Sequence, residues 1–277
     1  MRPPVHGLNR RKRIAETMMV LGAVLFVPTF LAVVMGYAVA IAFAVMGLGM
    51  MIVAGLRLSR MLYDVKQGLL FHWLTPRDVT FRFDLHHGLS PTQLKTFAQL
   101  EAGANSWRKN MLFGIIAGVP FVSSDVITET SHERFIGRVT IFDFSCPFQQ
   151  SLSCIKRTDV NEEESIDVHA TALTRLQRYF HVNATDEAFA RQVLTPHLVD
   201  TMLKLHARNP GDVRLTIQDA KLTIAIDKQE VFRFRLLKPI SEKLFVSLQD
   251  DFKLFKQMVE DVAKNDAWFV KKEPTLR

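Results

Sequence analysis

The chain is predicted to be an α+β protein, with an N-terminal transmembrane helical hairpin followed by a cytoplasmic, mainly antiparallel β domain with flanking helices. Three observations predict this. Residues 14–56 are apolar almost throughout, with Glu16 as their one charged group. Short runs that alternate apolar and polar residues follow, as in "VRLTIQ" at 213–218 and "KLTIAI" at 221–226. Near the C-terminus the period lengthens. Leu244, Leu248, Phe252, Phe255, Val259 and Val262 make one apolar stripe at helical spacing.

Length settles the reading of the apolar segment. As a single helix it would run about 65 Å at 1.5 Å per residue, against a hydrocarbon core of about 30 Å. Two spans fit, at 15–34 and 38–56, with the break near Met35-Gly36-Tyr37. Glycine takes turn dihedrals and tyrosine favours the membrane interface. Pro28 falls inside the first span, where membrane helices tolerate it. A secretory signal has an apolar region of only about 7–15 residues, far shorter than this one.

Charge sets the orientation. Arg2, Arg10, Arg11, Lys12 and Arg13 precede the first span, Arg57, Arg60 and Lys66 follow the second, and the turn has none. Positive ends face the cytoplasm. The expected topology is therefore multi-pass, with the N-terminus and the C-terminal domain cytoplasmic. Cys146 and Cys154 are too few for a disulfide framework and suit a reducing compartment. The whole chain carries 35 basic and 28 acidic residues, a net +7. Much of that excess lies before the first span, so it reports topology. With no nucleic-acid-binding motif, no nucleic-acid partner is expected.

The expected divisions are a basic N-terminus at 1–13, the hairpin at 14–56, a juxtamembrane helical region at 57–109, an α+β domain at 110–240, and a C-terminal helix and tail at 241–277. Residues 57–75 continue the second span as helix until Pro76. "VTFRFDLHHGLS" alternates like a short strand, and Ser90-Pro91 opens a helix to about Ala104. "MLFGIIAGVPFVSSDVITET" and "RFIGRVTIFDFS" are predicted as a hairpin or as neighbouring strands, "SLSCIKR" and "TRLQRYFHVNA" as further strands. "TDEAFARQVL" and "PHLVDTMLKLHARN" are predicted helices, the second capped by Thr195. "VFRFRLL" completes a meander with the two alternating runs.

The order of "GIIAGVPFVSSDVITE", "RFIGRVTIFDF", "RYFHVNATDEAFARQVLTPHLVDTMLKL" and "LTIAIDKQEVFRF" resembles the bacterial family known as domain of unknown function 3137. The resemblance implies an N-terminal membrane helix pair, a cytoplasmic domain and no assigned activity; with the charge pattern, it makes the inner (plasma) membrane of a bacterium the expected location. It supplies no catalytic residue.

Motifs for chemistry are missing. There is no G-x-x-x-x-G-K-[ST], no dinucleotide-binding G-x-G-x-x-G and no G-x-S-x-G. His132-Glu133 starts a zinc-protease motif, but Ile136 stands where its second histidine is needed. Cys146 and Cys154 lack zinc spacing. No cofactor, metal or catalytic residue is therefore expected, and a non-enzymatic role is favoured. The alternative is a membrane-bound enzyme using acidic residues of the 119–144 strands: Asp125, Glu129, Glu133 and Asp143.

Surfaces offer more. Arg10, Arg11, Lys12, Arg13, Arg57 and Arg60 are placed to meet anionic lipid, at about 1 kcal/mol for each charge near the surface. Arg233 and Arg235 share one strand face, and Trp268, Lys271 and Lys272 set an aromatic beside basic groups; both sets are candidate lipid contacts, though Trp268 also suits the core. Ala38, Ala40, Ala42, Ala44, Gly47 and Gly55 give the second span a small-residue surface, for packing in the hairpin or for self-assembly. The expected partners are membrane lipid and either a protein partner or further copies of the chain.

Overall fold

A computed structural model describes residues 5–37, 39–74, 79–84, 86–100, 106–130, 134–157, 171–209, 211–227 and 242–270. The chain divides into two compact units, Met1–Leu74 with Arg233–Val246, and Thr75–Phe232 with Ser247–Arg277.

The first unit is a helical hairpin of α1 (Val5–Val34) and α2 (Ala40–Leu74). Both are long and apolar enough to cross a membrane, over Asn9–Val34 and Ala40–Met61, with mean hydropathies of 2.3 and 2.1. The helix runs unbroken through Pro28. It ends where the sequence breaks. Gly36 has φ +92, Tyr37 N–H donates to Ala32 O at 3.1 Å, and Gly36 N–H donates to Val33 O at 2.9 Å. That pair of bonds satisfies carbonyls a helix end leaves orphaned, and needs a left-handed residue between them. The helices meet closest at Gly22 and Gly47. A Cβ on Gly22 would lie 2.9 Å from Gly47 O, and one on Gly47 would lie 2.8 Å from Phe26 N. Ala15, Ala44, Ala54 and Leu58 fill the rest of the seam. The outer faces stay bare, with Val24 65% and Leu31 58% exposed. A water-soluble protein hides such side chains; lipid solvates them.

The second unit is an eight-stranded sheet, β1 (Val79–Asp84), β2 (Trp107–Ile116), β3 (Val119–Glu129), β4 (Arg134–Asp143), β5 (Leu152–Lys156), β6 (Phe180–Ala184), β7 (Val213–Gln218) and β8 (Lys221–Asp227). The spatial order is β1-β2-β3-β4-β8-β7-β5-β6, every pairing antiparallel. The helices are α3 (Pro91–Ala98), α4 (Ala172–Tyr179), α5 (Glu187–Val193), α6 (Pro196–Arg208) and, from Ser247 onward, α7 (Glu242–Ala263). The α+β class is therefore as predicted.

One sheet face carries Phe121 and Phe142, whose rings lie 5.8 Å from Phe252 and 6.1 Å from Phe255 of α7. The described part of the predicted stripe, Phe252, Phe255, Val259 and Val262, is buried. On the other face Val126, Val139, Ile141 and Ala225 pack with Leu89, Leu94 and Ala98 of α3 and its approach. Ser90 starts α3 with a full capping box, its hydroxyl accepting from Gln93 N–H at 3.1 Å while Gln93 Oε1 accepts from Ser90 N–H at 2.9 Å.

Four expectations are corrected. The run from 111 to 130 is two strands, because Ala117 and Gly118, at φ 51 and φ 80, make a two-residue hairpin turn inside it. "TRLQRYFHVNA" is half helix: Thr171 caps α4, and the backbone extends only from Phe180. α3 stops at Ala98, with Gln99 left-handed at φ 52, rather than near Ala104. Among the described residues of 57–109, helix runs to Leu74 and from Pro91 to Ala98, while β1 and the start of β2 belong to the sheet. The predicted strand "VFRFRLL" lies outside the described residues.

Candidate binding cleft

The sequence-predicted residues fall into three groups. Asp125 is buried and bound: Arg138 Nε and Nη2 donate to its Oδ1 at 3.0 and 2.6 Å, and Asn110 Nδ2 donates to Oδ2 at 2.7 Å. Glu129 is exposed at the far end of β3, and Asp143, also exposed, pairs with Lys221 at 2.6 Å. Asp143 lies five residues along β4 from Arg138, the cross-strand partner of Asp125. At about 3.3 Å per residue that is roughly 16 Å. These carboxylates do not converge, which removes the arrangement an acid–base pair needs. Glu133, like His132, lies outside the described residues. Among the described residues no three His, Cys, Asp or Glu side chains are grouped to hold a metal.

Of the basic residues, Arg10, Arg11, Arg13, Arg57 and Arg60 are exposed. Lys12 is not: it is 3% exposed and donates to Glu16, so it serves the helical unit's interior rather than lipid. Trp268 is also 3% exposed and closes the core of the second unit, with no face left for a bilayer. Arg233, Arg235, Lys271, Lys272 and Ala38 lie outside the described residues. The small residues of α2 split between two faces. Ala44 and Gly47 are buried; Ala42 is exposed, Ala40 half-buried, and Gly49 and Gly55 have nothing within 4 Å of a built Cβ.

A cleft of about 590 Å³ opens at one end of the sheet. Three separated segments build it. The β2–β3 turn contributes Gly118, Val119 and Pro120; the end of β4 contributes Asp143 to Cys146; the end of α7 and the turn after it contribute Ala263, Asp266, Phe269 and Val270. Backbone bonds fix the segments together. Phe144 N–H donates to Ala220 O at 2.7 Å, Gln149 N–H to Trp268 O at 2.9 Å, and Val270 N–H to Pro147 O at 2.8 Å. Phe144 and Phe269 give the cleft an aromatic floor and pack with Phe148, the three ring centroids lying 4.7 to 5.6 Å apart. The size is that of a small-molecule site, mostly apolar with a few polar groups. No single stretch of sequence could reveal it, because its α7 wall lies more than a hundred residues from the other two in the chain.

Cys146 lines this cleft, half-buried, while Cys154 is fully buried in β5. Burial pushes the Cys154 thiol up to about 12. The thiolate is the nucleophile, so at neutral pH a maleimide should modify Cys146 alone in the folded chain and Cys154 only after denaturation. Mass spectrometry of the alkylated protein checks this.

A second titrating group lies on α6, away from the lining of the cleft. His206 on α6 sits 5.7 Å from the Tyr179 ring and 5.4 Å from Phe180. Burial, then the Lys156 charge, holds its pKa below the usual imidazole value, against the opposing pull of Asp212. A group whose folded pKa is depressed binds a proton more readily when unfolded. Stability is then full above the unfolded pKa of about 6.5 and falls as pH drops from there toward the folded value. His206→Phe should flatten that decline, seen as a urea midpoint that changes less between about pH 7.5 and about pH 5.5.

An apolar helical pair and an antiparallel sheet covered by helices define the class: an α+β protein with two candidate membrane helices. Residues 126–264, from β3 to just past α7, match the family described as Protein of unknown function (DUF3137), and the chain belongs to that family. No curated protein matches it. Among solved structures, the crystal structure of the mycobacterial trehalose monomycolate transport factor A, TtfA, is similar at 11% identity and a TM-score of 0.38, covering 72% of this chain and 96% of that one.

Proposed function

We propose that this is a bacterial inner-membrane protein that holds a binding module at the cytoplasmic face. The hairpin spans the bilayer twice, and the sheet domain binds a protein partner or lipid within a membrane assembly. One observation carries the reading: both helices expose continuous apolar side chains on their outer faces, while Arg10, Arg11, Arg13, Arg57 and Arg60 stand exposed at the ends away from the turn. The dispersal of Asp125, Glu129 and Asp143 favours binding over catalysis. Extraction in native lipid, followed by intact-assembly mass measurement, tests it. A second polypeptide or a lipid retained at fixed stoichiometry supports the binding role; a bare chain that releases everything on dilution overturns it.

A second reading is self-association, favoured by the outward Ala42 and Gly49, seven residues apart on α2 and clear of the hairpin seam. Discrete multiples that collapse to monomer in an Ala42→Leu, Gly49→Leu variant support it. A monomer in the unsubstituted protein overturns it.

A further inference from the structure

We infer that the cleft between the β2–β3 turn, the end of β4 and the end of α7 is a binding site for a small organic cation: an ammonium group on an apolar or aromatic body. This goes beyond the anchored-module reading and does not depend on the hairpin or its topology.

Volume comes first. About 590 Å³ lies within the range of small-molecule sites, roughly 300–1,000 Å³. The lining then decides the chemistry. Val119, Pro120, Phe144, Phe269 and Val270 give apolar walls, and the polar groups are Asp143, Ser145, Cys146 and Asp266. Among the described residues no lysine or arginine lines the cleft, and its charged lining groups are the carboxylates of Asp143 and Asp266. Lys221, the base paired to Asp143, engages that carboxylate at 2.6 Å and stacks 5.4 Å over Phe97, which orients it toward the sheet. Asp266 is exposed on the opposite wall and makes no ion pair among the described residues. It supplies a negative charge that no described residue neutralises. The aromatic floor adds a second attraction for the same species, since the negative faces of Phe rings draw cations. Carboxylate and aromatic groups from different segments thus favour one sign of ligand.

Binding is the activity assigned to the cleft.

The test uses the full chain in lipid nanodiscs and two probes with a common body, the phenylpropyltrimethylammonium cation and 4-phenylbutanoate. Equilibrium dialysis, corrected for empty nanodiscs, measures each. The expected result is saturable retention of the cation and none of the anion. Asp266→Asn should weaken the cation about fivefold, the worth of one solvent-exposed charge contact. Ala263→Trp, at an exposed position on the rim, should abolish retention by filling the cleft. Cys154 reports folding throughout, because it stays inert to maleimide only while buried. Equal retention of both probes, or retention unchanged by Ala263→Trp in a chain whose Cys154 is still protected, overturns the assignment. Loss of a partner or lipid in native extraction would bear on the proposed function and leave this result standing.

Discussion

Arg138→Met should destabilise the sheet domain by about 3–5 kcal/mol, the cost of leaving a buried charge without its partner. Arg138 is 1% exposed in β4. Beyond its two bonds to Asp125, Nη1 donates to Ser123 Oγ at 3.3 Å and Nη2 to Asn110 O at 3.5 Å. Ser123 in turn shares a hydrogen bond with Thr140 at 2.7 Å. Asn110 stands at a β-bulge with φ 56, a conformation its short polar side chain tolerates. Removing the guanidinium strands the Asp125 carboxylate among these groups. The double variant Arg138→Met, Asp125→Leu removes both charges and should recover most of the loss, as apolar replacement of a whole buried pair does. Urea unfolding of the full chain, followed by Cys154 alkylation, measures both. A single-variant cost below about 1 kcal/mol, the scale of an exposed pair, would contradict the buried-network account.

Gly47→Leu should open the helical hairpin, at a cost of about 1–3 kcal/mol for overpacking a close contact. A Cβ there meets the Phe26 backbone at 2.8 Å, and backbone cannot turn aside as a flexible side chain can. Gly49→Leu, two residues on, meets nothing within 4 Å and should leave hairpin stability within about 0.5 kcal/mol of the parent. Thermal unfolding in nanodiscs separates the two. Equal effects would mean that the seam does not run through Gly22 and Gly47.

The sequence carried the coarse architecture because its signals were long. The 14–56 segment is too apolar for a domain surface and too long for one span, and Gly36 marks the break. The α7 stripe persists over several turns, and the edges of α3 and α6 carry Ser90-Pro91 and Thr195-Pro196. What failed was local. Ala117-Gly118 is a hairpin turn without the polar residues that advertise one, so it hid inside an apolar run. Tyr179 to Val182 has strand composition and masked the preceding helical turns of α4. The Asp125–Arg138 pair and the cleft depend on which strands neighbour one another, and register across a sheet leaves no mark on residue spacing. For the same reason, the acidic residues that seemed to share two strands point to separate places.

The measurement that tests the central claim most directly is topology in intact cells. One cysteine replaces Tyr37 in the hairpin turn and another replaces Gln150, an exposed residue of the sheet domain, in a Cys146→Ser background. Labelling with a membrane-impermeant maleimide should modify Tyr37→Cys in whole cells and Gln150→Cys only after the inner membrane is opened. Labelling of Gln150→Cys in whole cells, or protection of Tyr37→Cys once the outer layers are breached, would contradict an anchor with both ends in the cytoplasm.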